Sequence, residues 1–167
     1  SLVTLGEELW IADAGFGGSY TPPMPLIAGT EVTAPDGATF RLEQNDAHGW
    51  MLLRDGDAAT TDGRGTGSGF QPQYSFAPVP VHPTDLALSN HWTSTAPQSR
   101  FRQVGVVSIV LPNGLASLTD ARYRRRAGGE ETQAIITDPR VYRMRPSMMF
   151  GITLSAEDVA ALGVVEA

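Results

Sequence analysis

The sequence contains no cysteine, and this absence removes several kinds of chemistry. A disulfide framework, a thiolate-ligated metal and a cysteine nucleophile are all excluded within these 167 residues. We expect no bound metal from the remaining side chains. A chain without cysteine is compatible with a cytoplasmic protein, which is the location we expect.

Long apolar runs and positive charge are also scarce. No apolar stretch approaches the roughly 18 to 20 residues of a membrane-spanning helix, so no membrane partner is expected. The net charge of −6 argues against nucleic acid as a partner, because nucleic-acid binding needs a basic face. Arginines cluster at 122–126, where acidic neighbours in the same hairpin predict ion pairs rather than a phosphate site: Asp120, Glu130 and Glu131.

Glycine and proline are abundant, with 18 and 12 residues, which is too many for a helical bundle. The chain is therefore expected to be mainly β with α/β character. An antiparallel barrel or sandwich domain is predicted over 1–80, and a strand-rich α/β lid domain over 81–167. The glycine-rich stretch 55–69 is expected to be a mobile loop, and His48 is expected to be a plain surface residue in a turn.

Four features define the predicted second domain. A helix over 84–95 would be capped by Thr84 and carry one apolar side, made by Leu86, Leu88 and Trp92. A strand over 103–111 is apolar on both faces and should be central in its sheet. Asp138 and Pro139 should open a helix that Pro146 kinks or splits, and Ser155 should start a last helix that Gly163 ends.

The most informative stretch is 10–18, which runs apolar to a single carboxylate, Asp13, and then becomes glycine-rich. We predict a strand that is buried on both faces and ends at a largely buried Asp13, whose charge needs a partner. A dinucleotide or phosphate loop is excluded, because the glycine spacing is wrong and the prolines that follow prevent the required helix. Two interpretations remain: a structural turn capped by Asp13, or an acid that orients an imidazole beside a nucleophile.

Several motifs, taken in order, resemble the arylamine N-acetyltransferase family. The stretch Trp-Ile-Ala-Asp-Ala-Gly-Phe-Gly-Gly at 10–18 is similar to the family's aspartate and glycine signature. Pro25-Leu26, Tyr74-Ser75-Phe76, the serines and threonine spaced over 90–101, and Phe150-Gly151-Ile152 follow in the family's order. The resemblance covers nearly the whole chain.

That resemblance implies a Cys-His-Asp triad in which Asp13 is the acid. The histidine would be expected upstream of Asp13, whereas His48, His82 and His91 all lie downstream. We therefore expect a fragment that lacks the helical N-terminal domain with the cysteine and the histidine, and that is inactive alone. The implied reaction moves an acetyl group from acetyl-CoA to arylamines or hydrazines, which suits a role in xenobiotic metabolism.

The resemblance also implies which residues contact the substrates. Gly15, Phe16 and Gly17 would lie beside the acyl-transfer centre. Trp92 would line the amine site, and the alternative that its helix is an interface helix stays open. Hydroxyl groups suited to the oxygens of acetyl-CoA would come from Ser94, Thr95 and Ser99. Two alternatives stay open, a non-catalytic β-rich binding module and an amide synthase of the same family.

Overall fold

The computed structural model describes residues 1–16, 20–47, 49–57, 68–111 and 114–165. The chain divides into two compact units, one formed by Ser1–Val79 with Val110–Leu115, the other by Pro80–Ile109 with Ala116–Ala167. Three sheets dominate both units, so the mainly β class with a few helices is confirmed. The boundary predicted between 80 and 81, the barrel or sandwich closure and the lid remain predictions.

The first unit begins with a three-stranded antiparallel sheet in the order β1-β2-β3. Its strands are β1 (Leu2–Leu5), β2 (Glu8–Ile11) and β3 (Met24–Pro25). Ile11 and Met24 are buried, whereas Trp10 is half-buried and β1 is exposed along its whole length. The expectation that the strand before Asp13 is buried on both faces therefore holds only for its last residue.

A four-stranded antiparallel meander completes this unit, with the strands in chain order. It comprises β4 (Glu31–Thr33), β5 (Thr39–Asn45), β6 (Gly49–Asp55) and β7 (Gln71–Phe76). Phe40 and Leu42 alternate toward the core and are fully buried, with Val32 packed against them. Ile11 and Met24 join the same apolar cluster, so one core serves both sheets.

A buried ion pair fixes the turn between β4 and β5. Arg54 of β6 lies 3.3 Å from the carboxylate of Asp36, and both side chains are only 3% exposed. The other carboxylate oxygen of Asp36 accepts a hydrogen bond from the Ala38 N–H at 3.1 Å. Asp36 therefore closes its own turn and anchors that turn to β6.

Another four-stranded sheet, in the order β11-β10-β9-β8, belongs to the second unit except for Val110–Leu115, which is grouped with the first, and two helices follow the sheet in the chain. The strands are β8 (Val106–Leu111), β9 (Gly114–Thr119), β10 (Arg122–Ala127) and β11 (Glu130–Ile135). Their core is shared with the helices and is made by five buried side chains: Leu118, Tyr123, Ile136, Tyr142 and Val159. Arg124 pairs with Glu131 at 3.1 Å, so ion pairing within the arginine hairpin is confirmed.

The predicted central position of strand 103–111 is wrong. β8 begins only at Val106 and lies at the edge of the sheet, where Val106 and Ile109 are 37% and 38% exposed. The buried strand is β9, whose sequence is less apolar. An apolar run predicts burial on both faces of a strand, but it does not determine which strand lies in the middle of the sheet.

Helix α1 (Pro83–Thr95) departs from prediction in two ways. Its N-cap is His82, whose ring accepts a hydrogen bond from the Thr84 N–H, because Pro83 occupies the first helical position. Leu86 and Leu88 do not share a side, since two residues of helix separate them by about 200°. None of the side chains on α1 is buried. Proline 97 follows its end, after which a short α2 (Arg100–Gln103), absent from the sequence prediction, begins.

The last two helices agree more closely with the sequence. Asp138 caps α3 (Pro139–Phe150), accepting from the Arg140 N–H at 2.7 Å, and Gly151 ends the helix in a left-handed conformation. Pro146 lies inside α3 without splitting it, which excludes the split, while the kink stays a prediction. Ser155 forms the predicted capping box of α4 (Ala156–Leu162), and Gly163 ends that helix. The predictions for His48, Gly17 and most of loop 55–69 fall outside the described residues.

Candidate functional site

Asp13 follows the end of β2 and is held by its own loop. The backbone N–H groups of Gly15 and Phe16 donate to its Oδ1 atom at 3.0 and 3.1 Å. The side chain is half-buried rather than largely buried, which corrects the sequence prediction. The interpretation of Asp13 as the cap of a structural turn therefore accounts for the contacts of Oδ1. The second oxygen, Oδ2, makes a different contact.

That second oxygen, Oδ2, accepts a hydrogen bond from the hydroxyl of Tyr74 at 2.6 Å. Tyr74 lies on β7, so the bond joins the three-stranded sheet to the far edge of the meander. Burial, and then the Asp13 carboxylate as acceptor and as a neighbouring charge, raise the pKa of Tyr74 well above its usual range. Tyr74 is thus protonated at neutral pH and always able to donate.

Two aromatic rings lie close to the ring of Tyr74. The ring of Phe16 lies 4.6 Å from that of Tyr74 at a tilted angle, and the ring of Phe76 lies 6.1 Å away. Phe76 in turn stacks on Trp50 at 6.4 Å. These rings reduce the access of water to the hydrogen bond, which strengthens the electrostatic interaction between the phenol and the carboxylate.

The sequence identified Asp13 and Phe16 but did not assign a site role to Tyr74. No spacing rule connects residues 61 positions apart. The available signal was Tyr74-Ser75-Phe76 itself, which is part of the family resemblance but was not linked to the acid. Gly15 and Phe16 contact Asp13 through their backbone N–H groups, and their role in substrate binding stays a prediction.

The other predicted contacts belong to the second unit, and their hydroxyls are already engaged. On α1, the Ser94 hydroxyl donates to the Asn90 carbonyl at 2.8 Å, and the Thr95 hydroxyl donates to the His91 carbonyl at 2.6 Å. Ser99 is 2% exposed and donates to the Thr93 carbonyl at 2.6 Å, which satisfies an end group of the helix. Trp92 is 53% exposed.

A separate groove of about 490 Å³ lies along α3 and the segment after it, and it contains none of the predicted site residues. Its walls combine two arginines with apolar and hydroxyl side chains: Arg140, Arg143, Met144, Ser147, Met148, Thr153 and Leu154. Across the part of the chain that the structure describes, no three histidine or acidic side chains are grouped as metal ligands. Among the described helices, none combines the length and apolar composition of a membrane crossing.

Comparison with known proteins bears on this arrangement. The sequence profile of the N-acetyltransferase family matches residues 1–159. The arylamine N-acetyltransferase of Escherichia coli strain K12 is 32% identical over 114 residues, which are 68% of this chain and 36% of that protein.

Solved structures of arylamine N-acetyltransferases are also similar to this chain. The arylamine N-acetyltransferase of Salmonella typhimurium superimposes with a TM-score of 0.81 at 26% identity, covering 96% of this chain and 58% of that one. The Mycobacterium marinum enzyme, solved in complex with CoA, gives a TM-score of 0.77 at 20% identity, covering 99% and 60%, and at that identity the likeness concerns the fold. This chain spans less than two thirds of each of these relatives. It belongs to the arylamine N-acetyltransferase family.

Proposed function

We propose that this chain is the acid-bearing part of an arylamine N-acetyltransferase. Asp13 is the third member of a Cys-His-Asp triad whose cysteine and histidine come from polypeptide outside these 167 residues. The observation that carries the proposal is the Asp13 carboxylate, held by two backbone N–H groups and the Tyr74 hydroxyl. The missing cysteine and the part of the relatives' length left uncovered support an external source for the other two members.

The hydrogen bonds around Asp13 suit an orienting acid. A carboxylate has about four acceptor positions, and donors from the described residues use three of them, which leaves one for an imidazole N–H. A Cβ atom placed on Gly15 would meet no described atom within 4 Å, so no side chain of the described residues crowds that face of the loop beside the acid. Asp13 would hold the imidazole tautomer and stabilise the imidazolium without itself accepting a proton.

The reaction would run in two steps. The cysteine thiolate attacks the acetyl carbonyl of acetyl-CoA, a new carbon–sulfur bond forms, and the coenzyme leaves as a thiol with the imidazolium proton. The nitrogen of an arylamine or hydrazine then attacks the acetyl-cysteine carbonyl. The carbon–sulfur bond breaks, and imidazole takes the amine proton, restoring the thiolate and imidazolium pair.

Substrate contacts are assigned as part of the same proposal. Phe16, Gly15 and Gly17 would border the acyl-transfer centre, and Trp92, which is exposed, would offer a flat surface to the amine. Ser94 and Thr95 would accept hydrogen bonds from N–H groups of acetyl-CoA rather than donate to its oxygens as expected from the sequence, because their hydroxyl protons are used within the helix. Ser99 is buried and would act through the shape of the turn. The barrel-like 1–80 region and the lid over 81–167 would be the enzyme's second and third domains.

The test is release of free thiol from acetyl-CoA in the presence of a simple arylamine. We expect turnover from the complete gene product and none from the 167-residue chain. Asp13→Asn in the complete protein should reduce kcat by about 10⁴, as when the orienting acid of a triad is neutralised. Asp46→Asn, at an exposed turn, is the matched control. Unimpaired turnover by Asp13→Asn, or full activity of the isolated chain, would contradict the proposal.

A further inference from the structure

One side of helix α3 forms the longer wall of the groove described above. The groove residues on this side lie three and four positions apart along the helix: Arg140, Arg143, Met144, Ser147 and Met148. Tyr142 and Pro146 are buried and mark the side of α3 that packs within its unit. Gly151 ends the helix with a φ of 69°, which turns the chain back so that Thr153 and Leu154 form the second wall. The groove is therefore built by one helix and the segment that follows it.

The groove carries positive charge that no described carboxylate neutralises. The sequence of α3 contains three arginines and no acidic residue, although the whole chain has a net charge of −6. Arg145 lies over the ring of Tyr123 at 4.5 Å and is not part of the groove. Arg140 and Arg143 line the groove, and neither forms an ion pair with a described residue. The Nε atom of Arg143 donates to the Leu154 carbonyl at 3.4 Å, a long hydrogen bond that ties this guanidinium to the second wall and leaves its two terminal nitrogen atoms for a ligand.

Apolar and hydroxyl side chains complete the lining. Met144 and Met148 are 58% and 76% exposed, so two flexible thioether side chains, which adapt to ligands of different shape, stand on the surface of the groove. Because the arginines precede the methionines along α3, the groove has a cationic end and an apolar end about 7 Å apart. The hydroxyls of Ser147 and Thr153 form no hydrogen bond with a described residue, unlike those of α1, and can donate to an anion.

We propose that this groove binds a small organic carboxylate that carries an apolar ring or chain. Its volume of about 490 Å³ lies within the range of roughly 300–1,000 Å³ that is typical of small-molecule sites. The carboxylate would pair with the arginines, because a guanidinium group offers two parallel N–H donors to it, and the apolar part would lie on the methionines. A singly charged ligand is favoured over a phosphate dianion, since the net charge of −6 repels a dianion more strongly. This site does not depend on Asp13 or on acetyl transfer.

Methyl NMR of the complete gene product, labelled with carbon-13 at its methionine methyl groups, tests the site. Phenylpropionate is the probe, because its ring should shift the methyl resonances of Met144 and Met148, which Met144→Leu and Met148→Leu variants assign. Met24, which is fully buried in the first unit, is the internal reference and should not move. We expect the shifts to saturate with phenylpropionate. Phenylpropionamide, which keeps the ring and lacks the charge, and acetate, which keeps the charge and lacks the ring, should each bind at least about tenfold more weakly.

Substitution of the arginines tests the cationic end. Arg140→Gln and Arg143→Gln should each weaken phenylpropionate binding about tenfold, because each removes a charge-assisted hydrogen bond. Arg125→Gln removes the same charge from an exposed arginine outside the groove and is the matched control. An unchanged Met24 resonance shows that each variant is folded.

Several outcomes would overturn the proposal. The absence of saturable shifts at Met144 and Met148 would do so, as would equal binding of the amide. Wild-type binding by both groove variants, or an equal loss with Arg125→Gln, would show that the arginines of the groove do not hold the carboxylate. Tighter binding of phenyl phosphate than of phenylpropionate would assign the groove to phosphate esters instead. Thiol release from acetyl-CoA takes no part in these measurements, so either proposal can fail while the other stands.

Discussion

Removal of the Asp36 carboxylate should destabilise the first unit more than the loss of any surface ion pair. Asp36 and Arg54 are each 3% exposed, so Asp36→Ala takes a charged acceptor away from a buried guanidinium. Breaking a buried pair from one side costs about 3–5 kcal/mol. The lost hydrogen bond from the Ala38 N–H adds about 1 kcal/mol.

Such a loss is large beside the ~5–15 kcal/mol that holds a typical domain folded. We expect this large loss because the ion pair is buried, and not because its atoms are close together. Arg41 and Glu31 approach to 2.6 Å, closer than the 3.3 Å of the buried pair, yet their side chains are 33% and 46% exposed. Water screens that pair, so Glu31→Ala should cost only about 0–1 kcal/mol.

Urea denaturation followed by tryptophan fluorescence provides the assay, since Trp50 is 8% exposed in the same core. Two further variants separate the contributions. Asp36→Asn keeps an acceptor for the Ala38 N–H and removes only the charge. Arg54→Met combined with Asp36→Ala should recover most of the ion-pair term, because an apolar replacement of a buried pair is often close to neutral.

The reasoning would be refuted if Asp36→Ala cost no more than Glu31→Ala. It would also be refuted if the double variant were as unstable as Asp36→Ala alone. In that case the turn hydrogen bond, rather than the buried charge, would account for the loss.

Three further predictions concern other parts of the chain. Because the folded-state pKa of Tyr74 is raised above the usual value of 10.0, its contribution to stability is complete below pH 10 and lost as pH rises above it. Wild type should therefore lose stability more steeply than Tyr74→Phe in urea titrations from pH 9 to 11, by up to about 1.4 kcal/mol per unit, and parallel curves would contradict this. Asp138→Ala should cost about 1 kcal/mol by removing the cap of α3, measured by its urea midpoint, whereas Asp138→Asn should retain most of it. Gly56→Ala should lower the melting temperature, since a Cβ there would lie 2.8 Å from the Cβ of Ala38, and Gly69→Ala, where a Cβ meets nothing within 4 Å, tests backbone strain alone.

Local rules predicted the parts of the fold that depend on neighbours in sequence. The caps at Asp138 and Ser155 act on N–H groups two or three residues away, so their residue types were sufficient to place α3 and α4. The alternation of Phe40 and Leu42 likewise identified the core face of β5. The position of β8 could not be predicted this way, because strand order is decided by pairings between distant segments.

The residues of the candidate site also differ in whether a local sequence pattern could predict them. Asp13 and Phe16 were identified from a stretch of nine residues. Tyr74, which completes the environment of the acid, is brought there by the sheet and not by any local pattern. The prediction that Leu86, Leu88 and Trp92 form one apolar side of α1 is wrong, because Leu86 and Leu88 lie about half a turn apart around the helix.

The hydrogen bond between Tyr74 and Asp13 also determines when the site can form during synthesis of the chain. The two residues are 61 positions apart, so the acid leaves the ribosome well before the hydroxyl that holds it. At the ~5–20 residues per second of protein synthesis, that interval is about 3–12 s. During it the two loop N–H groups can engage Asp13, but the phenol cannot. The carboxylate therefore reaches its final setting only when the last strand of the meander joins the sheet.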